Sequence, residues 1–391
     1  MNLIALPAPL LQVHDVLPFD VVDAGGRMLM PLGTPIADVR QLERLRAAGP
    51  MADAEQSDAW RAERERAASG RLPAADDDDD AAALGERPLL EEVRELPQRL
   101  APLLRNAPLV LDWSRRIERL AARVRADVAR DADSLLYLLV QRAARYHDNY
   151  STEHALLCAV VCTMCAEQLR HGEDETRALV CAALTMNASM TTLQDELAQR
   201  ERTPTLAQRR AIDEHAADGA RLLRRMGITD ELWIETVALH HRNPDPEVAH
   251  ADLPPGARLA GVLHRVDVFT AKISARRSRA GLPAPLAARD ACLGPDGLPD
   301  TIGAATVKAL SIYPPGSYVR LANSETAVVV RRGERADRPQ VVSLLAPNGR
   351  PLPAPQLRDT ALPRHEIRAA VRANEVRVAV NHEQVLALAG C

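Results

Sequence analysis

Helical patterning runs almost without a break from Pro88 to about Leu310, and this excludes most architectures open to a chain of this length. Apolar residues recur there at i, i+3/i+4 and i+7, the spacing that lines one face of an α-helix. Leu135, Leu136, Leu139 and Val140 make one stripe, and Leu156, Cys158, Val160, Cys162 and Cys165 make another. Candidate helices fall near 88–105, 113–129, 131–146, 152–170, 174–189, 205–226, 229–241, 256–278 and 299–310. Aromatic residues are only 3% of the chain, so the core between these helices has to be built from Leu, Ala and Val.

Both flanks break the period. Val21 to Met30 reads as a hairpin, two apolar runs joined by Asp23-Ala24-Gly25-Gly26. Val39, Leu42 and Leu45 then share a helical spacing within Asp38 to Ala48, ended by Gly49. After Leu310, Ser317 to Leu321 and Thr326 to Val330 flank a polar Asn323-Ser324-Glu325 turn, a second hairpin. Pro339 to Leu345 offers a third strand, and Arg364 to Leu388 is expected to be helical. Asp76 to Asp80 repel one another and read as part of a solvated linker. The expected organisation is a β-rich module over 1–50, an acidic linker over 51–87 and a helical connector over 88–145. A helical domain over 146–311 and a hairpin extension with a C-terminal helix over 312–391 complete it.

A net charge of −4 argues against a nucleic-acid polymer as partner, which calls for a basic face. It leaves room for a small anionic ligand held by a few arginines. No run of about 18 apolar residues suggests a membrane span. Met1 to Leu11 lacks a basic start and a long apolar stretch, so no signal peptide is expected. Six cysteines, three of them within Cys158 to Cys165, fit reduced thiols in a cytoplasmic protein.

Chemistry concentrates in the histidines. His154, His215 and the adjacent pair His240-His241 fall in expected helices, and Asp267 lies on a later one. Imidazoles and a carboxylate converging in a helical bundle are the ingredients of an iron, manganese or zinc site. Isolated helical histidines are as readily core or surface residues, so spacing alone leaves both readings open. Cys158, Cys162 and Cys165 share a face with His154; they read either as small buried hydrophobes or as soft-metal ligands.

Six segments in order give the helical domain a resemblance. Asn149-Tyr150-Ser151-Thr152-Glu153-His154-Ala155 looks like the first-ligand helix of the HD-GYP family, the bacterial cyclic di-GMP phosphodiesterase branch of the HD hydrolases. Ala182 to Met190, AALTMNASM, stands where that family has AALLHDIGK. Glu214 to Ala220 resembles the HPxxGA segment, and Ala238-Leu239-His240-His241 the start of HHExxDGxGYP. His264 to Ala271 is similar to the family's Asp-bearing helix, and Ile312 to Leu321 to a segment often following these domains. The resemblance covers about Tyr146 to Leu345. It implies a mainly α fold, an HD-type helical bundle with a short C-terminal β extension and a small N-terminal β-rich module.

By the same resemblance, His154, His215, His240, His241 and Asp267 are surviving metal-ligand positions. The His-Asp pair that names the family is replaced by Met186 and Asn187. In the family that Asp bridges two metals; Asn187 offers one neutral oxygen, and Met186 a thioether poorly suited to iron or manganese. The family lysine is Met190, the Glu after the paired histidines is Arg242, and Asn243-Pro244-Asp245-Pro246 stands near the missing GYP. Members with an extra metal carry Glu one turn before the first His, where this chain has Tyr150.

Arg276 and Arg279 match positions with which the family grips phosphates, although they also read as a basic helix end. The resemblance therefore implies a signalling protein with impaired or absent hydrolysis, binding cyclic di-GMP or a protein partner. No cofactor is expected; any metal is expected to be iron or manganese, held weakly or singly. The alternative is a working metal-dependent phosphodiesterase, and a third is a scaffold without a ligand.

Overall fold

The computed structural model describes residues 3–6, 11, 17, 19–31, 34, 36, 39–54, 57, 87–110, 112–145, 149–242, 248–294 and 297–390. Two compact units divide the chain, one over 1–83 with 109–111 and one over 84–108 with 112–391. The Asp76 to Asp80 run and Asn243 to Pro246 lie outside the described residues.

Four described strands make the sheet of the first unit: β1 (Leu3–Ala5), β2 (Val21–Val22), β3 (Met28–Met30) and β4 (Met51–Asp53), in the order β1-β4-β2-β3. The β2–β3 hairpin forms because Asp23 Oδ1 accepts from the Gly25 (2.9 Å) and Arg27 (3.0 Å) amides. Helix α1 (Val39–Ala47) supplies Leu42 and Leu45 to a core with Leu17, Phe19, Val21, Met30 and Ile36. Strand β4 carries the sheet past the boundary drawn at residue 50.

The second unit is a helical bundle. Its helices begin with α2 (Leu89–Arg105), α3 (Trp113–Ala143), α4 (Tyr150–Leu169), α5 (Glu173–Thr185) and α6 (Thr191–Ala198). They continue with α7 (Leu206–Arg225), α8 (Glu231–Leu239), α9 (Pro255–Ile273), α10 (Ala284–Ala291) and α11 (Thr301–Leu310). Two helices expected over 113–146 form one, kinked at Asp131, whose φ of −159° leaves the helical region. Asp131 caps the second half, accepting from the Ser134 amide (3.1 Å) and hydroxyl (2.7 Å). Helix α4 is the centre: Tyr150 to Ala166 are all buried, and α3, α5, α9 and α11 pack around it. A helix apolar on every side belongs in a core, which is why its stripe-like pattern understates its burial. No described helix is long and apolar enough to cross a membrane.

The described C-terminal strands form one antiparallel sheet: β5 (Tyr318–Leu321), β6 (Thr326–Arg331), β7 (Gln340–Leu345), β8 (Pro351–Asp359) and β9 (Ile367–Val371). Their order is β8-β7-β6-β5-β9. The expected helix over Arg364 to Leu388 is corrected. Its first part is β9, paired with the edge of β5 (Tyr318↔Val371), and only α12 (His382–Leu388) is helical. Open backbone donors and acceptors on β5 outweighed the modest helix preference of Ile-Arg-Ala-Ala-Val. Pro-rich β8 occupies the opposite edge, where its missing amides cost least. Gly316, at φ +90°, seats the sheet on α3, since a Cβ there would lie 2.7 Å from Val140 Cβ and 2.8 Å from the Tyr137 carbonyl. Gln141 locks the junction, donating to the Gly316 carbonyl (2.6 Å) and accepting from the Tyr318 hydroxyl (2.8 Å).

Candidate metal centre

Four helices or helix ends bring the expected ligands together. His154 is on α4, His215 on α7, His240 and His241 close α8, and Asp267 is on α9. Asp195 of α6 anchors the start of α4, accepting from the Ser151 amide (2.7 Å) and from Arg105 (2.9 Å). Gly219 lets α7 approach, for a Cβ there would sit 3.0 Å from Val237 and 3.4 Å from the Met186 carbonyl.

Among the described residues the donors fall into two groups, each with ligand atoms within 4.8 Å of one another: His215, His240 and His241, and His154, Cys158 and Asp267. In the first, the Nδ1 atoms of His215 and His240 lie 2.5 Å from the Ile212 carbonyl and 2.7 Å from the Val237 carbonyl. A carbonyl only accepts, so each Nδ1 carries the proton and donates. That leaves the two Nε2 atoms turned towards each other at 3.2 Å. Burial and the neighbouring His241 push His240 down to about 3, which keeps the ring neutral. Burial also lowers the partly exposed His241. His264 of α9 meets His241 edge to face, with centroids 5.7 Å apart.

The second group is tied by charge. His154 Nε2 donates to Asp267 Oδ1 (2.7 Å), and Cys158 Sγ lies 3.7 Å from the same nitrogen. Both contacts fall on one ring nitrogen, so this is no nucleophile–base–carboxylate relay, which needs the two nitrogens separately. Burial favours the neutral forms, but the pair is strong enough to reverse it. Asp267 is held well below the usual carboxylate range by His154 and the nearby His240 and His241, and His154 is raised by its neighbours Cys158, Tyr150 and Asp267. Burial pushes Cys162 up, and Cys165 up to about 12, so both are inert thiols at neutral pH.

Met186 ends α5 with no exposed surface, and Asn187 follows it, 9% exposed. Met190 caps α6 and lines an open cleft with Ser189, Thr191, Arg105 and Asp218. Arg242 is exposed. The expected helix over 256–278 stops at Ile273, so the reading of Arg276 and Arg279 as a helix end is corrected. The two instead sit in a tight turn, with Arg276 N donating to Arg279 O (2.9 Å). Arg279 donates to the Ala271 carbonyl (2.6 Å). Arg276 stacks over Tyr150 (4.9 Å) and donates to its hydroxyl (2.8 Å), while Tyr150 stacks on His154 (5.6 Å). Both arginines line a cavity of about 250 Å³ with Gly316, Tyr318, Val371 and Asn374.

Comparisons with known proteins add little to this geometry. No family model and no curated protein matches the chain. Among solved structures it matches Bd1817, a HDG"Y"P protein from Bdellovibrio bacteriovorus, at 13% identity and a TM-score of 0.43, covering 78% of this chain and 98% of that one. A likeness that loose carries no argument, and the centre rests on its own side chains.

Tyr150, Cys158 and His264 are the participants that residue spacing underrates. The signals were there: Cys158 follows His154 by one turn, and His264 precedes Asp267 by three residues on one helix face.

Proposed function

We propose that the helical domain is a degenerate HD-GYP-like module of a cytoplasmic signalling protein, which binds cyclic di-GMP, or a protein partner, with hydrolysis impaired or absent. One observation carries the reading. Among the described residues the two donor groups contain a single carboxylate, Asp267, and it is already paired with His154; by the resemblance, neutral Asn187 replaces the bridging Asp.

Three imidazoles fit one divalent cation, because the Nε2 atoms of His215 and His240, 3.2 Å apart, can both turn a lone pair towards it. Nothing in that set joins it to a second cation. When bound, such a cation polarises a phosphoryl oxygen and lowers the pKa of water. The chain's own groups favour holding over turnover. Arg276 and Arg279 both line the cavity, where a guanidinium can meet a phosphodiester oxygen. Met190 stands where the family has its lysine and has no proton to give a leaving group.

The rival reading is a phosphodiesterase working from one cation. It is favoured by the carbonyl-anchored His215 and His240, since such anchoring orients metal ligands.

Purified protein, assayed for iron and manganese and for binding and turnover of cyclic di-GMP, decides between them. The expected result is binding without turnover, weakened by Arg276→Ala. Restoring the pair with Met186→His and Asn187→Asp is expected to raise both metal content and hydrolysis. Near-stoichiometric iron or manganese with turnover in the unaltered chain establishes the rival. Absence of binding to any nucleotide leaves a scaffold or a protein-binding module.

A further inference from the structure

We propose that Cys158, His154 and Asp267 form a second, sulfur-containing cation site that takes a thiophilic divalent ion of the zinc class. The inference deepens the reading of an impaired centre and rests on it only for the missing bridging carboxylate. Cys158 is one turn along α4 from His154, so helix geometry alone puts the thiol and imidazole on one side. Asp267 reaches the same point from α9.

The spacing suits tetrahedral zinc. With Zn–S of about 2.3 Å and Zn–N of about 2.0–2.1 Å, the edge between the two donors is about 3.6 Å. Sγ and Nε2 are 3.7 Å apart. The nitrogen–oxygen edge would be about 3.3 Å, against the 2.7 Å hydrogen bond between His154 and Asp267. A cation therefore has to open that pair by about 0.6 Å, replacing its shared proton, and leave the thiol where it is. The thiol proton and the displaced His154 Nε2 proton both go to solvent as the cation binds.

Asp267 supplies the way in. Its side chain is 16% exposed, whereas His154 is 1% exposed and Cys158 fully buried. The other thiols of the same helix are differently employed: Cys165 lies 3.9 Å from the Thr306 hydroxyl, and Cys162 belongs to neither donor group. A thiolate also returns a negative charge to a centre in which a carboxylate has become Asn187. Sulfur selects zinc over iron(II) or manganese(II), so the site differs in kind from the all-nitrogen group beside it.

The test uses the full chain, stripped with a chelator and titrated with cobalt(II). A sulfur-to-cobalt charge-transfer band in the near ultraviolet is expected. It should be lost in Cys158→Ser and kept in Cys162→Ser and His215→Ala. X-ray absorption of the unaltered zinc-loaded chain, which needs no variant, should show a sulfur neighbour at about 2.3 Å.

No band, a band surviving Cys158→Ser, or zinc with only nitrogen and oxygen neighbours overturns the site. Each of these outcomes leaves the impaired-hydrolysis reading standing. Turnover of cyclic di-GMP by the unaltered chain would sink that reading instead, and the sulfur signature would still decide this one.

Discussion

His215 and His240 reach the centre with their Nδ1 atoms already spent on main-chain carbonyls, whereas His154 is held by a side-chain carboxylate from another helix. The first arrangement is built into the ends of helical turns and survives the loss of any neighbouring charge. The second exists only while Asp267 is ionised and α4 and α9 stay packed. His154 Nδ1 has no hydrogen-bond partner, so its ring is oriented from one edge only. Backbone anchoring makes a neutral donor set, and ion pairing makes a charged one. Two groups of similar size in one bundle therefore respond to mutation, metal and pH in different ways.

Asp267→Ala is expected to give the largest effect on stability, about 3 kcal/mol, because it strands a buried imidazole without its partner. Urea denaturation of the metal-free protein measures it, and a loss below about 1 kcal/mol would put the two groups on an equal footing. Next, His215→Ala removes a ligand outright and should weaken iron or manganese binding by at least about 100-fold in chelator competition, the upper end of what loss of a supporting partner costs. It should leave the cobalt–sulfur band untouched, and loss of that band would show the two groups to be one site.

Opposite pH slopes separate them further. His240 has a folded pKa depressed to about 3, so its share of stability is present above the unfolded value near 6.5 and is lost as pH falls towards 3. His154 is raised, so its share is present below the unfolded value and is lost as pH rises through the folded one. Asp267, depressed, keeps its share above the unfolded value near 3.8 and loses it only in strong acid. In metal-free protein, His240→Gln should flatten the acid limb by up to about 1.4 kcal/mol per pH unit. Asp267→Asn should flatten the limb above pH 6.5. Stability measured from pH 4 to 9 checks both, and a single variant flattening both limbs would break the distinction.

The smallest effect belongs to Tyr150→Phe. It removes the hydroxyl that receives Arg276, at a cost of about 1 kcal/mol. If Arg276 is held by Tyr150 for use, cyclic di-GMP binding should weaken along with stability. A change in stability alone would make the contact structural.

Much of this was readable in advance. Most helix positions followed from apolar period, although the short α6 and α10 did not, and the β2–β3 and β5–β6 hairpins followed from their turn residues. The histidines and Asp267 were legible as a donor inventory. Less so was the tail, where β9 formed because β5 offered an edge, a reason absent from Ile367 to Val371 themselves. The helices expected over 113–129 and 131–146 became one, with a capped kink at Asp131. Arg276 and Arg279 looked like a helix end, but Ile273 stops the helix before them.

By itself the sequence determined the helical core and the stock of imidazoles, thiols and carboxylates, with Met186 and Asn187 side by side. Those depend on residue identity and local period. Tertiary structure decided how the stock was divided. His215 and His240 are 25 residues apart and His154 and Asp267 are 113 apart, so their meeting depends on how α4, α7, α8 and α9 pack. Packing of side chains across distant helices is not a periodic property of the chain.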